Sequence, residues 1–193
     1  MKSPVDNDKS LQTDEEVARA VQKGASEEFS ILVDRYEAKL TRYAHKFLTN
    51  REDVKDLVQE VFIKAYKNIK SFDSSRRFSP WIYRIAHNEF VNALERKQRD
   101  KMLFSFDAFF PYPAAKERSD AQALQNDLRQ TIDFYLDQID AKYREPLILY
   151  YFQDLGYKEI ADVLHIPAAT VGVRLQRAKS ILKKIMNNND YGK

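Results

Sequence analysis

Cysteine is absent from this 193-residue sequence, and glycine and proline are scarce, with four and six residues respectively. The lack of cysteine excludes disulfides, thiolate metal sites and cysteine nucleophiles. No uninterrupted apolar run approaches the roughly 18 residues that a membrane span requires. The first residues, MKSPVDNDKSLQTDEE, lack the apolar core of a secretory signal. We therefore expect a soluble, cytoplasmic protein without membrane insertion.

Positive charge is concentrated in two segments of the chain. The formal net charge is only +3, which by itself indicates no polyanionic partner. Residues 76–101 contain seven Lys or Arg against three Asp or Glu, and residues 168–193 contain six against one. Two separated basic segments indicate two distinct contacts with a polyanion.

Apolar residues recur at helical spacing along most of the chain, which predicts an all-α protein. Thr13 and Glu16 have the spacing of a capping box, so a first helix is expected to begin there and to end at Gly24. Ser26 is placed to cap a second helix.

Two further helices complete the predicted N-terminal bundle. The third runs from about Glu52 to Lys70. The fourth begins with Ser79 as its N-cap and Pro80 at the first helical position, where the missing N–H costs little. This helix is expected to end near Arg99.

The sequence predicts two small helical domains joined by a linker. Residues 1–12 form an N-terminal tail and residues 13–100 the helical bundle. Residues 101–123 carry phenylalanines and prolines without a clean period and are expected to form the linker. Residues 124–193 form a C-terminal domain, in which helical spacing resumes.

The C-terminal domain has the pattern of a helix-turn-helix. Gly156 precedes its first helix, and His165 to Pro167 make the turn. Its second helix is expected to enter the major groove of duplex DNA, although an ordinary amphipathic surface helix would show the same periodicity. The pattern buries Val171, Leu175 and Ala178 in this second helix and leaves Thr170, Val173, Arg174, Gln176, Arg177 and Lys179 in solvent.

The third helix has a polar face opposite its apolar stripe. This face carries Asp56, Gln59, Glu60 and Ile63, and its simplest interpretation is a solvated surface. A metal or acid/base site is disfavoured, because no histidine lies among the carboxylates and neighbouring lysines compete for them. We expect no catalytic residues, no bound metal and no cofactor, and therefore no enzyme.

Aromatic and basic side chains surround the loop between the third and fourth helices. Phe72 is expected to stack on an unpaired base, which would contribute roughly 1–3 kcal/mol. Trp81 is expected to be largely buried. A base read outside the stack also needs a polar pocket, and Asn88 could supply an amide to it.

Three motifs then resemble a known family. The segments DLVQEVFIKAY (56–66), FSPWIYRIAHN (78–88) and YREPLILYYFQDLGYKEIADVLHIPAATVGVRLQRAKSILKK (143–184) resemble bacterial RNA polymerase sigma factors of the extracytoplasmic-function (ECF) group of the sigma-70 family. The resemblance extends from about Glu15 to Lys184. It implies a non-catalytic subunit that binds core polymerase, recognises two promoter elements, opens the DNA and directs transcription initiation.

The resemblance also implies roles for individual residues. Asp56, Gln59, Glu60 and Ile63 would dock on the clamp helices of the largest polymerase subunit. The minus-35 element would be read by Thr170, Val173, Arg174, Gln176, Arg177 and Lys179. A flipped base of the minus-10 element would be captured by Lys64, Phe72, Asp73, Ser74, Ser75, Arg76, Arg77, Tyr83, Arg84 and Asn88.

Further partners follow from the same resemblance: the flap of the second-largest polymerase subunit and an anti-sigma factor. The protein would associate with the nucleoid when it is bound to polymerase. The family commonly carries glycine where His165 stands, so the turn is expected to differ in geometry. The alternative hypothesis is an autonomous helix-turn-helix regulator whose N-terminal bundle senses a signal or dimerises.

Overall fold

The computed structural model describes residues 12–48, 50–104, 132 and 134–190. Every regular element within these ranges is helical, which confirms the all-α prediction. The chain divides into two compact units, with the described residues up to Phe104 in the first and those from Ile132 onward in the second. Most of the predicted tail and linker, and the start of the predicted C-terminal domain, lie outside the described residues.

The first unit opens with helix α1 (Asp14–Gln22). Thr13 Oγ1 accepts a hydrogen bond from the Glu16 amide at 3.2 Å, and the Glu16 carboxylate accepts from the Thr13 amide at 2.8 Å. The predicted capping box is thereby confirmed, and two amides that the first turn leaves without helical acceptors are satisfied. Gly24 follows the helix with φ +112°, a left-handed conformation that glycine adopts readily.

Helix α2 (Phe29–Ala44) follows a 3-10 turn over Ser26–Glu28. The prediction that Ser26 caps α2 is wrong, because Ser26 begins the 3-10 turn and no side chain caps α2 itself. Helices α1 and α2 are joined by Asp14, whose carboxylate accepts from the Tyr36 hydroxyl at 2.6 Å and pairs with Arg35 at 2.7 Å. Burial and this neighbouring carboxylate raise the pKa of Tyr36.

Helices α3 (Arg51–Asn68) and α4 (Phe78–Phe104) complete the first unit. Asn50 caps α3 through its side-chain oxygen, which accepts from the Glu52 amide at 3.0 Å. A 3-10 turn over Ile69–Ser71 extends the end of α3. Helix α4 begins at Phe78, one residue before the predicted N-cap, and continues beyond the predicted end near Arg99.

The core of the first unit is rich in aromatic rings. The Tyr43 ring lies 5.3 Å from Tyr83 and 5.6 Å from Phe90, so α2 packs on α4 through edge and tilted ring contacts. Aliphatic side chains at helical spacing fill the remaining interior. Fully or nearly fully buried positions include Val17, Ala18, Leu32, Tyr36, Leu40, Val58, Val61, Ala65, Ile82 and Ala86.

The second unit contains α5 (Ala141–Phe152), α6 (Tyr157–Leu164) and α7 (Ala168–Asp190), preceded by a helical stretch at residues 134–137. Helices α6 and α7 form the predicted helix-turn-helix, and α5 packs against both. The predicted interior of α7 is confirmed, since its core-facing side chains are buried. These are Val171, Leu175 and Ala178.

A buried arginine joins α5 to the segment before it. Arg144 is only 1% exposed, and one of its guanidinium nitrogens lies 3.2 Å from a carboxylate oxygen of Asp137. Burial lowers the pKa of Arg144 to about 10, so the side chain remains charged at neutral pH. Leu136 and Ile139 are buried beside this pair, so apolar packing and charge together fix the segment against α5.

Candidate functional site

The polar face of α3 is exposed as the sequence predicts. Asp56, Gln59 and Glu60 are in solvent, and Ile63 is 44% exposed one helical turn beyond them. The buried positions Val58 and Val61 alternate with these residues, so the helix sends one stripe to the core and the other to the surface. An exposed isoleucine among carboxylates and an amide suits contact with another protein.

A groove of about 750 Å³ lies beside this face, between α2 and α3. Gln59 and Ile63 belong to its lining, together with Val33 of α2 and His45, which directly follows α2. Burial lowers the pKa of His45, so this imidazole is neutral at pH 7. The groove thus adds surface beside the α3 face, with uncharged side chains such as Val33 as well as charged ones.

The loop between α3 and α4 has a defined conformation of its own. Asp73 Oδ1 accepts from the Ser75 hydroxyl at 2.7 Å and from the Ser75 amide at 3.0 Å. These hydrogen bonds lower the pKa of Asp73, with a smaller contribution from Arg76, whose Nε lies 3.6 Å from the other carboxylate oxygen. Arg76 and Arg77 are exposed, so the loop offers positive charge from an ordered turn.

The structure places two aromatic residues of this loop at different depths. Phe72 is only 5% exposed, which contradicts its prediction as a stacking surface. Its ring packs 5.3 Å from Phe78 and 5.2 Å from Trp81, and it thereby joins the core beneath the loop. Trp81, expected to be largely buried, has intermediate exposure above it. Of these two rings, Trp81 is the one with some accessible surface.

Tyr83, predicted as a contact residue, is instead fully buried on the core side of α4. Its ring packs against Tyr43, and its hydroxyl has no hydrogen-bond partner among the described residues. Burial raises the pKa of Tyr83, so the hydroxyl stays protonated. Tyr83 therefore supports the surface from below and does not touch a ligand.

Three other predicted residues remain at or near this surface. Lys64 is engaged with Glu89 of α4, with 2.6 Å between the ammonium nitrogen and the carboxylate oxygen. The glutamate side chain is 10% exposed, so this pair links α3 to α4 at the edge of the core. Arg84 is exposed and Asn88 is half-buried on the same helix.

Residues of α1 contact the loop, and these contacts were not predicted from the sequence. Gln22 donates from Nε2 to the carbonyl oxygens of Ile69 and Phe72. The sequence gives little signal of this, because a polar side chain on a short amphipathic helix normally faces solvent. Only the fold brings residues about 50 positions apart into contact.

The turn between α6 and α7 is set by His165, which adopts the left-handed conformation with φ 52° and ψ 42°. Glycine adopts this conformation without strain and other residues seldom do, so His165 stands at a position that favours glycine. The Ile166 amide donates to the Ala161 carbonyl at 3.2 Å and closes the end of α6. The helix-turn-helix therefore keeps a glycine-type turn with histidine at its centre.

The predicted DNA-facing residues of α7 do not all share one face. Thr170 and Arg174 are partly exposed, Gln176 and Arg177 are exposed, and Val173 is 47% exposed. Lys179 lies apart from them, since its ammonium nitrogen is 5.4 Å from the centroid of the Tyr151 ring on α5. Interaction with Tyr151 also raises the pKa of Lys179.

Exposed aromatic side chains form a second unpredicted feature of this unit. Tyr151 and Phe152, at the end of α5, are 53% and 51% exposed, and Tyr157, which begins α6, is 44% exposed. These aromatic residues lie where α5 ends and α6 begins, whereas Leu147, Ile148 and Leu149 earlier in α5 are buried. We name Tyr151, Phe152 and Tyr157 the aromatic patch.

Two absences hold within the described part of the chain. None of the helices there combines the length and apolar character of a membrane span. No three side chains of the metal-binding types are grouped there as ligands.

Two family models match the sequence. Sigma-70 region 2 matches residues 32–100, and Sigma-70, region 4 matches residues 129–182. Together they cover more than half of the chain. The chain belongs to the sigma-70 family. It is an RNA polymerase sigma factor, and its first unit carries the region 2 match while its second unit carries the region 4 match.

Curated relatives place this sigma factor in the ECF group. It is 32% identical over 173 residues to the ECF RNA polymerase sigma factor SigW of Bacillus subtilis, covering 86% of this chain and 92% of the relative. It is 33% identical over 177 residues to the ECF RNA polymerase sigma-E factor of Escherichia coli K12, covering 88% and 92%.

Solved structures share the fold of this sigma factor. CnrH, solved in complex with the cytosolic domain of CnrY, aligns with a TM-score of 0.64 and 25% identity, over 92% of this chain and 99% of CnrH. The sigma factor RpoE of Bartonella quintana, solved with the anti-sigma factor NepR, aligns with a TM-score of 0.67 and 20% identity, over 83% and 97%. Helix α1 precedes the region 2 match, which begins at residue 32.

Proposed function

We propose that this sigma factor divides promoter recognition among three of its surfaces. The α3 face docks on core polymerase, the loop after α3 captures an unpaired minus-10 base, and α7 reads the minus-35 duplex. The observation that carries the proposal is the exposed Ile63 within the polar face of α3, together with the ordered basic loop that follows this helix. Helix α3 would thus connect the docking surface directly to the strand-capture loop.

The docking surface consists of Asp56, Gln59, Glu60 and Ile63, and its proposed partner is the pair of clamp helices of the largest polymerase subunit. The carboxylates would meet basic groups at the rim of the interface, where they steer association. Ile63 would supply the apolar contact at its centre, where residues that exclude water contribute most to affinity. The groove between α2 and α3 offers further contact area beside Ile63.

The minus-10 site combines the loop with the first turns of α4. Ser74, Arg76 and Arg77 would contact the backbone of the opened strand, and Trp81 would stack on the extruded base in place of Phe72. Asn88 offers amide groups to the edge of that base. Lys64, Asp73, Ser75 and Arg84 border the same surface.

The minus-35 surface is the exposed side of α7. Thr170, Val173 and Arg174 are near its N-terminal end, which is the part of a recognition helix that contacts base edges. Val173 offers methyl groups that suit the methyl group of thymine. Gln176 and Arg177 would continue the contact, whereas Lys179 is held over Tyr151 and would touch only the rim.

Two further partners belong to this proposal. The aromatic patch is exposed and apolar, and it suits the flap of the second-largest polymerase subunit. An anti-sigma factor is proposed as well, because the structurally similar sigma factor RpoE of Bartonella quintana was solved with the anti-sigma factor NepR. The protein would act in the cytoplasm, would associate with the nucleoid when bound to polymerase, and would catalyse no reaction itself.

Reconstitution with core polymerase tests the proposal. A promoter library transcribed by the holoenzyme should yield a selected minus-35 and minus-10 pair, whereas the free protein should bind the same duplex weakly. Footprinting that showed tight, sequence-specific binding by the free protein would instead support an autonomous regulator. Core polymerase incubated without the sigma factor is the control for background initiation.

A further inference from the structure

Helix α1 presents one row of polar side chains to the loop between α3 and α4. Glu15, Arg19 and Gln22 are spaced by four and three residues, so they share one helical face. Each of them makes a hydrogen bond to the segment between Ile69 and Phe78. The row spans the loop from its beginning to its end.

Gln22 donates hydrogen bonds to two carbonyl oxygens at the C-terminal end of the α3 segment. Its Nε2 donates to the Ile69 carbonyl at 2.8 Å and to the Phe72 carbonyl at 2.7 Å. The Ile69 carbonyl also accepts the Phe72 amide at 3.1 Å, so Gln22 supplies its second hydrogen bond and links the two ends of this 3-10 turn. Both contacts are partly buried, where an unsatisfied carbonyl costs more than it does in water.

Glu15 accepts a hydrogen bond at the opposite end of the loop. Its Oε1 accepts the amide of Phe78, the first residue of α4, at 2.8 Å. A carboxylate at this position also interacts favourably with the N-terminal end of the helix dipole. Between the two ends, Arg19 donates to the hydroxyl and to the carbonyl oxygen of Ser74, each at 3.3 Å.

Helix α1 is itself fixed to the bundle. The Asp14 carboxylate binds Arg35 at 2.7 Å and the Tyr36 hydroxyl at 2.6 Å, and Val17, Ala18 and Val21 are buried. Because α1 is fixed in this way, its side chains hold the loop at a defined position relative to the core.

We propose that the α1 row, Glu15, Arg19 and Gln22, is a positioning device for strand capture, which holds the loop in its binding conformation before DNA arrives. The proposal rests on the loop as the minus-10 site. Gln22 caps the helix that enters the loop and Glu15 caps the helix that leaves it, so one helix determines both ends. A loop released from these contacts would populate other conformations, and its apparent affinity would fall with the fraction that stays competent.

The test compares isosteric variants in the reconstituted holoenzyme. Gln22→Met keeps the length of the side chain and removes both donated hydrogen bonds. The probe is a single-stranded oligonucleotide that carries the minus-10 sequence selected by the unmodified protein, with 2-aminopurine at the unpaired position. We expect Gln22→Met to weaken capture about tenfold, the loss of two hydrogen bonds, and to leave affinity for core polymerase within about twofold.

Glu15 provides the conservative rescue. Glu15→Gln keeps an oxygen that accepts the Phe78 amide and should retain most of the capture, whereas Glu15→Met removes the acceptor and should lose it. Lys23→Met is the matched control, because Lys23 is exposed beside Gln22 and is not among the residues that contact the loop. This control should capture the oligonucleotide as the unmodified protein does.

The outcomes separate this inference from the proposed function. Wild-type capture by Gln22→Met, together with loss of capture by Asn88→Ala, would overturn the positioning role and leave the minus-10 site standing. Wild-type capture by both variants would overturn both. Equal losses of capture and of core affinity in Gln22→Met would also overturn the positioning role, since they would mean general damage to the unit.

Discussion

The ring centroids of Phe72 and Trp81 lie 5.2 Å apart, and of the two side chains only Phe72 is buried. Phe72 therefore supports Trp81 from the interior and keeps the indole close to the protein surface. We therefore expect the two residues to have separate tasks, with Phe72 stabilising the unit and Trp81 contacting the base in the proposed minus-10 site.

The first prediction separates these two tasks. Phe72→Ala should lower the free energy of unfolding by about 3–5 kcal/mol, because it leaves a cavity under the loop. Trp81→Ala should weaken minus-10 capture by about 1–3 kcal/mol through lost stacking. Denaturant unfolding measures the first effect and oligonucleotide titration of the holoenzyme the second. Trp81→Phe keeps a ring face and should retain part of the capture, and a Trp81→Ala protein with full capture would contradict the assignment.

The second prediction concerns polymerase docking. Gln59→Ala combined with Glu60→Ala should weaken core binding severalfold, mainly through slower association, as expected for polar contacts at the rim of an interface. Asp34→Ala, an exposed residue on α2, makes the same charge change as Glu60→Ala outside the proposed face. A competition titration against unmodified protein measures the effect. Equal binding by the double variant and the control would exclude this face as the docking surface.

The third prediction uses a matched pair of buried tyrosines. Tyr83→Phe removes a buried hydroxyl without a described partner, so the free energy of unfolding should stay the same or rise by about 1 kcal/mol. Tyr36→Phe removes a hydroxyl that donates to Asp14 and should destabilise by about 1 kcal/mol. Promoter opening by Tyr83→Phe should be unchanged. Loss of opening without loss of stability would restore Tyr83 as a contact residue.

The fourth prediction contrasts two glycines. A Cβ added at Gly172 on α7 would meet Tyr157 at 3.5 Å, an ordinary contact, so Gly172→Ala should stabilise the second unit by about 1 kcal/mol. Gly24→Ala should destabilise the first unit, because φ there is +112°. Thermal unfolding of each variant gives the sign. A destabilised Gly172→Ala protein would mean that the Tyr157 ring cannot give way.

Much of the fold follows from local sequence patterns. The capping box at Thr13 and Glu16 and the buried stripe of α7 depend on residues within a few positions of each other, and both are confirmed. The exposed α3 face follows from the same periodicity. Local patterns decide such features because the helix itself fixes which side chains share a face.

The remaining features depend on contacts between distant segments. Phe72 and Trp81 both flank a polar loop, and which of them is buried depends on how α4 crosses the end of α3. The hydrogen bonds of Gln22 join residues 47 and 50 positions apart, so no window of sequence reveals them. The exposure of Tyr151 and Phe152 likewise depends on where α5 ends and on how the three helices of the second unit pack.

The geometry of the helix-turn-helix, by contrast, depends on local backbone contacts at His165. The angle between α6 and α7 is set at one left-handed residue and by its neighbouring backbone hydrogen bonds, none of which involves the exposed side chains of α7. The orientation of α7 and the identity of its exposed side chains can therefore change independently. If α7 reads the minus-35 element as proposed, substitutions at Thr170, Val173 and Arg174 should change promoter preference and keep the scaffold unchanged.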